Sequence, residues 1–332
     1  MKRTPTGQVS RLNLPTALFP WAGRLLGWSL LLSCLAGCEP SESGSPTTQP
    51  SDRAQGGQRI GVTLLTAQHQ FYQELRRGLE SEASRHDYEL LITTAEFDPA
   101  RQANQIDEFI VQRVDAMVIC PCDSRSVGAS IAAANEAGIP VFTADIASTS
   151  PLGEVVSHIA SDNRQGGRIA ARMMARALDD RGEVAILSHP EVASVTDRVA
   201  GFKEEIAKHP GIEVVAELSA EGMRDKAVKV MEDLLQSHPQ VNGVFAINDD
   251  SALGALAAVE AAGRLGRVRI VGYDATAEAR DKIGARAIYG DVVQNPRRIG
   301  KLTVRAIADY FAGRTPPAVI PVEVGFFGGD SA

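Results

Sequence analysis

The sequence predicts an α/β protein whose folded part has two lobes, each built on a parallel sheet covered by helices. From residue 59 onward, apolar runs of four to eight residues alternate with longer amphipathic segments rich in Ala and charged residues. This alternation is typical of βαβ units, and strands that are buried on both faces read as continuous apolar runs. About 270 residues follow residue 58, a length that suits two lobes of ordinary size better than one core.

Strand and helix segments can be assigned along this whole region. The predicted strands are 59–66, 88–94, 116–120, 140–144, 155–160, 183–188, 212–218, 243–247, 268–273 and 287–293. The predicted helices are 71–85, 124–137, 166–178, 195–208, 226–237, 251–262 and 299–311. Turn residues support the boundaries, since Gly138 and Pro140 separate a helix from a strand. Asp249 comes just before a predicted helix and is the expected N-cap.

The first 37 residues differ from the rest and resemble an export signal. They contain four basic and no acidic residues and include a mostly apolar run at 25–35. That run is too short for a stable membrane-spanning helix, which needs about 20 apolar residues. Leu35, Ala36 and Gly37 then precede Cys38, and this tetrad resembles a bacterial lipobox. We expect cleavage before Cys38 and its lipidation, with an ordinary signal and an incidental Cys as the alternative.

Residues 38–57 are predicted to form a flexible tether between the lipid anchor and the folded part. The segment 39–57 is rich in Ser, Pro, Thr, Gln and Gly and has too few apolar residues to fold. The whole chain has a net charge of −7 and the first 37 residues carry four positive charges, so the remainder has −11. An acidic domain is a poor nucleic-acid binder, because phosphate contacts supply most non-specific affinity. We expect a membrane-attached, extracytoplasmic protein with no nucleic-acid partner.

The sequence gives no support for catalysis, a metal site or a cofactor. Beyond Cys38 the cysteines are Cys120 and Cys122, whose spacing is not that of a CxxC metal pair. A Cys120 nucleophile with His69 as its base is one interpretation, but buried small cysteines are far more common. Gly166 and Gly167 lack the spacing of a phosphate-binding loop, and close packing explains them better. We therefore expect a binding protein rather than an enzyme.

Side chains that could contact a ligand follow the predicted strands at or shortly after the points where these end. Ligands of parallel α/β sheets bind beyond the carboxyl ends of the strands, so these residues are expected to converge. They include His69, Phe71, Asp145, Arg198, Asn248, Asp274 and Gln294. An acid, a base, amides and an aromatic ring would surround a polyhydroxylated ring with donors and acceptors. The sequence thus predicts that one small polar solute is held without chemical change.

Several separate runs resemble one family of binding proteins. They are 153–163, 244–249, 252–256, 271–274 and 292–294, at consistent spacing within residues 59–325. These runs resemble the periplasmic ribose-binding family, which belongs to the type I periplasmic binding proteins of the LacI/ribose-binding group. The resemblance implies two Rossmann-like lobes joined by a three-segment hinge, with the ligand bound between them.

The resemblance also implies the limits of the lobes and the partner. The first lobe would comprise 58–161 and 295–322, and the second lobe 162–294 and 323–332. Ligand would favour the closed form, which a membrane transporter would recognise. We therefore expect a monomeric solute-binding protein that serves the permease of an ABC-type sugar importer.

The resemblance assigns ligand contacts residue by residue. The matching positions are Phe71, Asp145, Arg198, Asn248, Asp274 and Gln294. Phe71 would cover an apolar sugar face, Arg198 would donate as a fork that Lys cannot reproduce, and the acids and amides would bond hydroxyls. His69, Cys120, Ile146 and Tyr273 are further candidates for the pocket wall. Tyr273 is interpreted either as lining the cleft or as packing, and Tyr72 likewise.

Five positions depart from the family pattern. Leu65 replaces Ser, His69 and Cys120 each replace Asn, Ile146 replaces Arg and Gly222 replaces Phe. Four of these lie in the first lobe, which loses donors and gains apolar surface. An unpaired ligand hydroxyl costs about 1–3 kcal/mol. We expect a ligand less polar than ribose on that side, or a larger polyol that uses the space at Gly222.

Other functions remain as alternatives. A sensory subunit could present a bound sugar-like signal to a chemoreceptor or sensor kinase, because either partner could recognise the same closed form. A transcription repressor's effector domain shares the two-lobed fold but needs a basic helix-turn-helix before it. This chain has the lipobox-like segment in that place.

Overall fold

The computed structural model describes residues 57–329, which form two α/β lobes. The first lobe begins with β1 (Arg59–Leu64), α1 (Gln70–Ala83), β2 (Glu89–Thr94), α2 (Pro99–Val111), β3 (Ala116–Ile119), α3 (Gly128–Glu136), β4 (Val141–Ala144) and β5 (Ser157–Ser161). The second lobe follows with α4 (Asn163–Ala177), β6 (Gly182–Ser188), α5 (Ala193–Ile206), β7 (Ile212–Ser219), α6 (Arg224–Ser237), β8 (Gly243–Ala246), α7 (Asp249–Ala261), β9 (Arg269–Asp274), α8 (Ala277–Gly284) and β10 (Gly290–Val293). The chain then returns to the first lobe with α9 (Pro296–Phe311) and β11 (Val319–Val322) and ends in the second with β12 (Gly325–Gly328).

The two sheets have the same strand order. The first is β2-β1-β3-β4-β5-β11, and all of its pairs are parallel. The second is β7-β6-β8-β9-β10-β12, in which β12 is an antiparallel edge strand. The predicted α/β fold of two lobes is confirmed. The chain order reverses between β1 and β3 and again between β6 and β8, and such switch points form a crevice at the carboxyl ends of the strands.

Three connections join the lobes. The chain passes from β5 to α4 at 161–163, from β10 to α9 at 293–296, and from β11 to β12 at 322–325. Buried apolar side chains fill the space between each sheet and its helices, and one cluster of them includes members from both lobes, such as Ile60 and Ile186. Apolar packing is therefore shared between the two lobes.

The predicted helix over 124–137 begins later than expected. Its first helical residue is Gly128, and 124–127 form a turn. Asp123 Oδ1 accepts the backbone N–H groups of Arg125 and Ser126 over 2.9 and 2.6 Å, which stabilises the turn locally. Ser124 thus lies outside the helix.

Two helices, α2 and α8, were absent from the sequence-based assignment. The signal for α2 is clear in retrospect, because Asp98 accepts the N–H groups of Ala100 and Arg101 and Pro99 occupies the first helical position. For α8 the corresponding signal is Thr276, whose side chain accepts the N–H of Ala279.

Helices α4 and α5 approach each other closely at two glycines. A Cβ atom at Gly167 would lie 1.9 Å from the carbonyl oxygen of Arg198, and one at Gly201 would lie 2.0 Å from that of Arg164. Neither position can accept a side chain without moving the backbone. The close approach fixes α5, which carries Arg198, against the first helix of the second lobe.

The predicted export signal and Cys38 lie outside the described residues, as does the tether apart from Gly57. Across residues 57–329, every helix is too short or too polar to span a membrane.

Candidate ligand-binding site

A cavity lies between the lobes, and its lining residues follow strands of both sheets. It is narrow in this form of the chain and is lined by both polar and apolar side chains. The first lobe contributes Leu65, His69, Phe71, Tyr72, Phe97, Asp145 and Ile146. The second lobe contributes His189, Val192, Ser194, Val195, Arg198, Gly222, Ile247, Asn248, Asp274 and Gln294.

Eight of the ten predicted ligand-binding residues line this cavity, namely His69, Phe71, Asp145, Ile146, Arg198, Asn248, Asp274 and Gln294. The structure places Cys120 and Tyr273 behind the wall, where both are fully buried. Burial and the nearby Asp145 raise the pKa of the Cys120 thiol well above its usual value, which disfavours the thiolate that a nucleophile requires. Tyr273 lies under Arg198, with the guanidinium carbon 4.0 Å from the ring centroid. It supports Arg198 rather than facing the cavity.

Asp145 presents a carboxylate oxygen to the cavity. The residue directly follows β4 with a φ of 65°, a left-handed conformation that Asp tolerates better than most residues. Tyr72 Oη donates to Asp145 Oδ2 over 2.6 Å, whereas Oδ1 is buried and has no hydrogen-bond partner among residues 57–329. Burial raises the pKa of Asp145, while Arg198 and the Tyr72 hydrogen bond oppose that rise. Because an unpaired buried oxygen is costly, Oδ1 can gain by accepting a ligand donor.

Arg198 is held in one orientation by the second lobe. Its Nε donates to Asn163 Oδ1 over 2.8 Å, and its Nη1 donates to the carbonyl oxygen of Ile247 over 2.7 Å. Asn163 is the first residue of α4, next to a connection between the lobes. These bonds use two of the five N–H groups of the guanidinium and fix its plane. The remaining N–H groups can donate to oxygen atoms in the cavity.

Asp274 and Gln294 form a hydrogen-bonded pair in the wall. Gln294 Nε2 donates to Asp274 Oδ1 over 2.6 Å, and Gln294 Oε1 is buried without a partner in the described part of the chain. Burial raises the pKa of Asp274 well above its usual value, and Asp249 raises it further. Gln294 therefore offers a second unpaired acceptor to the site, besides Asp145.

Asn248 both lines the cavity and caps α7. Its Oδ1 accepts the N–H of Ser251 over 2.9 Å, and its Nδ2 donates to the carbonyl oxygen of Gly222 over 2.9 Å. The expected cap at Asp249 is therefore wrong, because α7 begins two residues earlier than predicted and Asp249 is its first residue. The Asp249 carboxylate instead accepts the N–H of Thr276 over 2.6 Å.

A group of buried carboxyls lies behind this wall. Asp291 of β10 is fully buried, and neither of its oxygens accepts a hydrogen bond from a donor within residues 57–329. Burial raises the pKa of Asp291 well above its usual value, and the neighbouring Asp249 and Asp274 raise it further. Burial likewise raises the pKa of Asp249. In the described region no three or more His, Cys, Asp or Glu residues are grouped to hold a metal ion.

Contacts of three rings, those of His69, Phe97 and His189, join the two lobes at the edge of the cavity. His69 of the first lobe has its Nε2 3.4 Å from Asp250 Oδ2 of the second. Its ring meets Phe97 edge-on at 5.3 Å between centroids, and Phe97 lies 6.4 Å from the ring of His189 in the second lobe. Burial lowers the pKa of both histidines, although Asp250 and Glu191 respectively oppose this. The lobes touch here, so the structure is a closed one.

Several lining residues were not assigned from the sequence, namely Phe97, His189, Val192, Ser194, Val195 and Ile247. A signal for His189 existed, because it directly follows β6 at the switch point of the second sheet. Gly222 has a φ of 67°, and a Cβ atom there would lie 3.1 Å from Asn248 Nδ2 and 3.7 Å from His189 Nδ1. The space expected at Gly222 is thus bordered by two polar side chains.

Comparison with known proteins places the chain in a family. A family model described as a periplasmic binding protein domain matches residues 60–315. The ribose import binding protein of Bacillus subtilis is 34% identical over 291 residues, which cover 87% of this chain and 92% of that protein. A xylitol-binding protein of Mycolicibacterium smegmatis is 35% identical over 239 residues, covering 71% of this chain and 67% of that protein.

A solved structure gives the same assignment. An ABC transporter solute-binding protein from Agrobacterium vitis, bound to α-D-tagatopyranose, superposes with a TM-score of 0.78. It is 30% identical and covers 82% of this chain and 95% of its own. The relatives are solute-binding proteins, so the chain is a binding protein and not an enzyme. It belongs to the periplasmic binding protein family and is similar to the ribose-binding members of that family.

Proposed function

We propose that this chain is the lipid-anchored solute-binding protein of an ABC-type sugar importer and holds one monosaccharide or related polyol between its lobes. The observation that carries this proposal is the pair of unpaired buried acceptors, Asp145 Oδ1 and Gln294 Oε1, beside the fixed guanidinium of Arg198. A sugar hydroxyl can both donate and accept a hydrogen bond, so sugar hydroxyls can donate to Asp145 Oδ1 and Gln294 Oε1 and accept from Arg198. The relatives that bind ribose and xylitol support the ligand class.

The walls of the cavity differ in polarity, which bears on the ligand. Leu65, Phe71 and Ile146 of the first lobe are at most 6% exposed and belong to one apolar cluster. On the second lobe, Arg198 and Asp274 face the same space. We propose that the ligand places its hydroxyl-rich edge on the second lobe and Asp145, and a less polar edge against Leu65, Phe71 and Ile146 of the first lobe.

Calorimetric titration of the mature chain should identify the ligand class. The panel comprises D-ribose, 5-deoxy-D-ribose, xylitol and D-tagatose, with sodium sulfate as the negative control. At least one polyol is expected to bind, and 5-deoxy-D-ribose should bind about tenfold or more tightly than D-ribose, since one hydroxyl fewer is left unpaired. Tight binding of D-ribose would contradict the less polar edge, and the absence of any binding would contradict the sugar site.

Family membership implies an extracytoplasmic location, and we propose that Cys38 supplies the membrane anchor. A strain lacking the gene is expected to lose uptake of the best-bound member of the panel. In the complemented strain, wild-type protein should fractionate with membranes and the Cys38→Ala variant should not. Undiminished uptake in the deletion strain would contradict the importer role, and an associated loss of signalling would favour a sensory subunit. A Cys38→Ala variant that stays with the membranes would contradict the anchor.

A further inference from the structure

Ser124 connects the two lobes outside the cavity. Its Oγ accepts the backbone N–H of Ala193 over 2.8 Å, and its own N–H donates to the carbonyl oxygen of Glu191 over 3.0 Å. Both of these partners belong to the second lobe. On the side of the first lobe, the carbonyl oxygen of Ser124 accepts the N–H of Thr149 over 2.7 Å. Ser124 itself is 3% exposed, whereas Ala193 is partly exposed, so the bond between them lies at the edge of the contact between the lobes.

The partner of Ser124 Oγ is the first N–H of α5. The N-cap position of that helix is Val192, whose side chain cannot accept a hydrogen bond. The first N–H groups of a helix have no partner inside the helix and need an acceptor from elsewhere. A serine hydroxyl is among the preferred acceptors in this role. Here the cap comes from the opposite lobe instead of from the residue that precedes the helix.

Helix α5 also builds part of the binding cavity. Val195 and Arg198 on its first two turns line the space between the lobes. Arg198 is in turn bonded to Asn163 at a connection between the lobes. A bond that fixes the start of α5 against the first lobe therefore acts on the element that carries the ligand-facing guanidinium.

We infer that Ser124 is a positioning residue, a helix cap supplied across the lobes that forms on closure and slows release of the ligand. In an open form the lobes separate, and the N–H of Ala193 is solvated by water. Closure transfers that N–H to Ser124 Oγ and completes α5 as the cavity forms. This inference rests on the proposed function, because it needs a ligand that is bound between the lobes. Ser124 would stabilise the closed form without contacting that ligand.

The test is the rate of ligand release from the mature Ser124→Ala chain. Stopped-flow dissociation is measured for every member of the panel of D-ribose, 5-deoxy-D-ribose, xylitol and D-tagatose that the wild type binds. Release should accelerate about fivefold, the size expected for loss of a helix cap. The factor should be the same for each ligand, because Ser124 does not line the cavity. The melting temperature of the ligand-free chain should stay unchanged, because the bond is absent when the lobes are apart.

The matched control is Ser126→Ala, which removes an exposed hydroxyl from the same turn of the first lobe. It should leave the release rates at the wild-type values. Unchanged release from Ser124→Ala, different factors for different sugars, or an equal loss of stability without ligand would each overturn the inference. Binding of no panel member by the wild type would instead overturn the proposed function, and the inference with it.

Discussion

Replacement of Arg198 by Lys is expected to weaken sugar binding by about a hundredfold, the equivalent of one or two lost hydrogen bonds to a charged group. Lys keeps the positive charge but has no fork of fixed N–H groups. Its single ammonium nitrogen cannot reproduce the spacing of Nε and Nη1, which reach Asn163 Oδ1 and the carbonyl oxygen of Ile247 separately and leave other N–H groups for the ligand. Calorimetric titration with the tightest-binding member of the panel would measure the loss.

The control for this prediction is Arg172→Lys. Arg172 lies on α4, outside the cavity wall, and its Nη1 is 3.2 Å from Glu205 Oε1 of α5. The control therefore makes the same chemical change between the same two helices and should leave the affinity unaltered. An Arg198→Lys variant that bound within threefold of the wild type would show that the guanidinium does not contact the ligand.

Replacement of Asp291 by Asn is expected to raise the free energy of unfolding, and more at pH 8 than at pH 5. Burial holds the pKa of Asp291 above the ordinary Asp value of 3.8. The unfolded chain therefore releases this proton near pH 4 while the folded chain keeps it. Since the unfolded state then binds fewer protons, stability falls as the pH rises through the folded pKa. Asn is neutral throughout, so the gain should reach about 1–3 kcal/mol at pH 8.

Denaturant unfolding at both pH values would measure this effect in the ligand-free chain. Asp233→Asn, at an exposed position of α6, makes the same change without burial and should alter stability little at either pH. The buried-carboxyl explanation would fail if Asp291→Asn destabilised the chain at pH 8, or if its effect were equal at the two pH values.

Ten of the twelve strands within residues 57–329 were predictable from the sequence because strands buried on both faces are continuous apolar runs, whereas the partly exposed β11 and β12 were missed. Asp145, Asn248 and Asp274 were predictable as site residues for the same reason, since each directly follows such a run and lines the cavity. Phe97 was missed because two successive residues, Glu96 and Phe97, adopt positive φ values of 52° and 62° after β2. Short-range sequence patterns do not specify that conformation for a Glu and a Phe.

Helix starts were less predictable, because the acceptors that cap a helix compete locally. Asn248 and Asp249 both have side chains suited to capping. In the structure Asn248 accepts the N–H of Ser251 and caps α7, while Asp249 accepts the N–H of Thr276. The sequence also predicted a helix from Ser124, but residues 124–127 form a turn that Asp123 stabilises by accepting the N–H of Ser126. Ser124 Oγ instead accepts the N–H of Ala193 in α5, 69 residues further along the chain. A contact between residues so far apart in sequence cannot be predicted from local periodicity.

The burial of two free thiols affects how the protein withstands oxidation outside the cytoplasm. Cys120 and Cys122 are both free and buried, and burial raises the pKa of Cys122 to about 12. Oxidants and disulfides react with the thiolate, which is scarce at such a value. A protein exposed to an oxidising medium would ordinarily risk cross-linking through unpaired cysteines. Here chemical resistance depends on the cleft region staying folded, so these sulfurs are protected for as long as the native packing lasts.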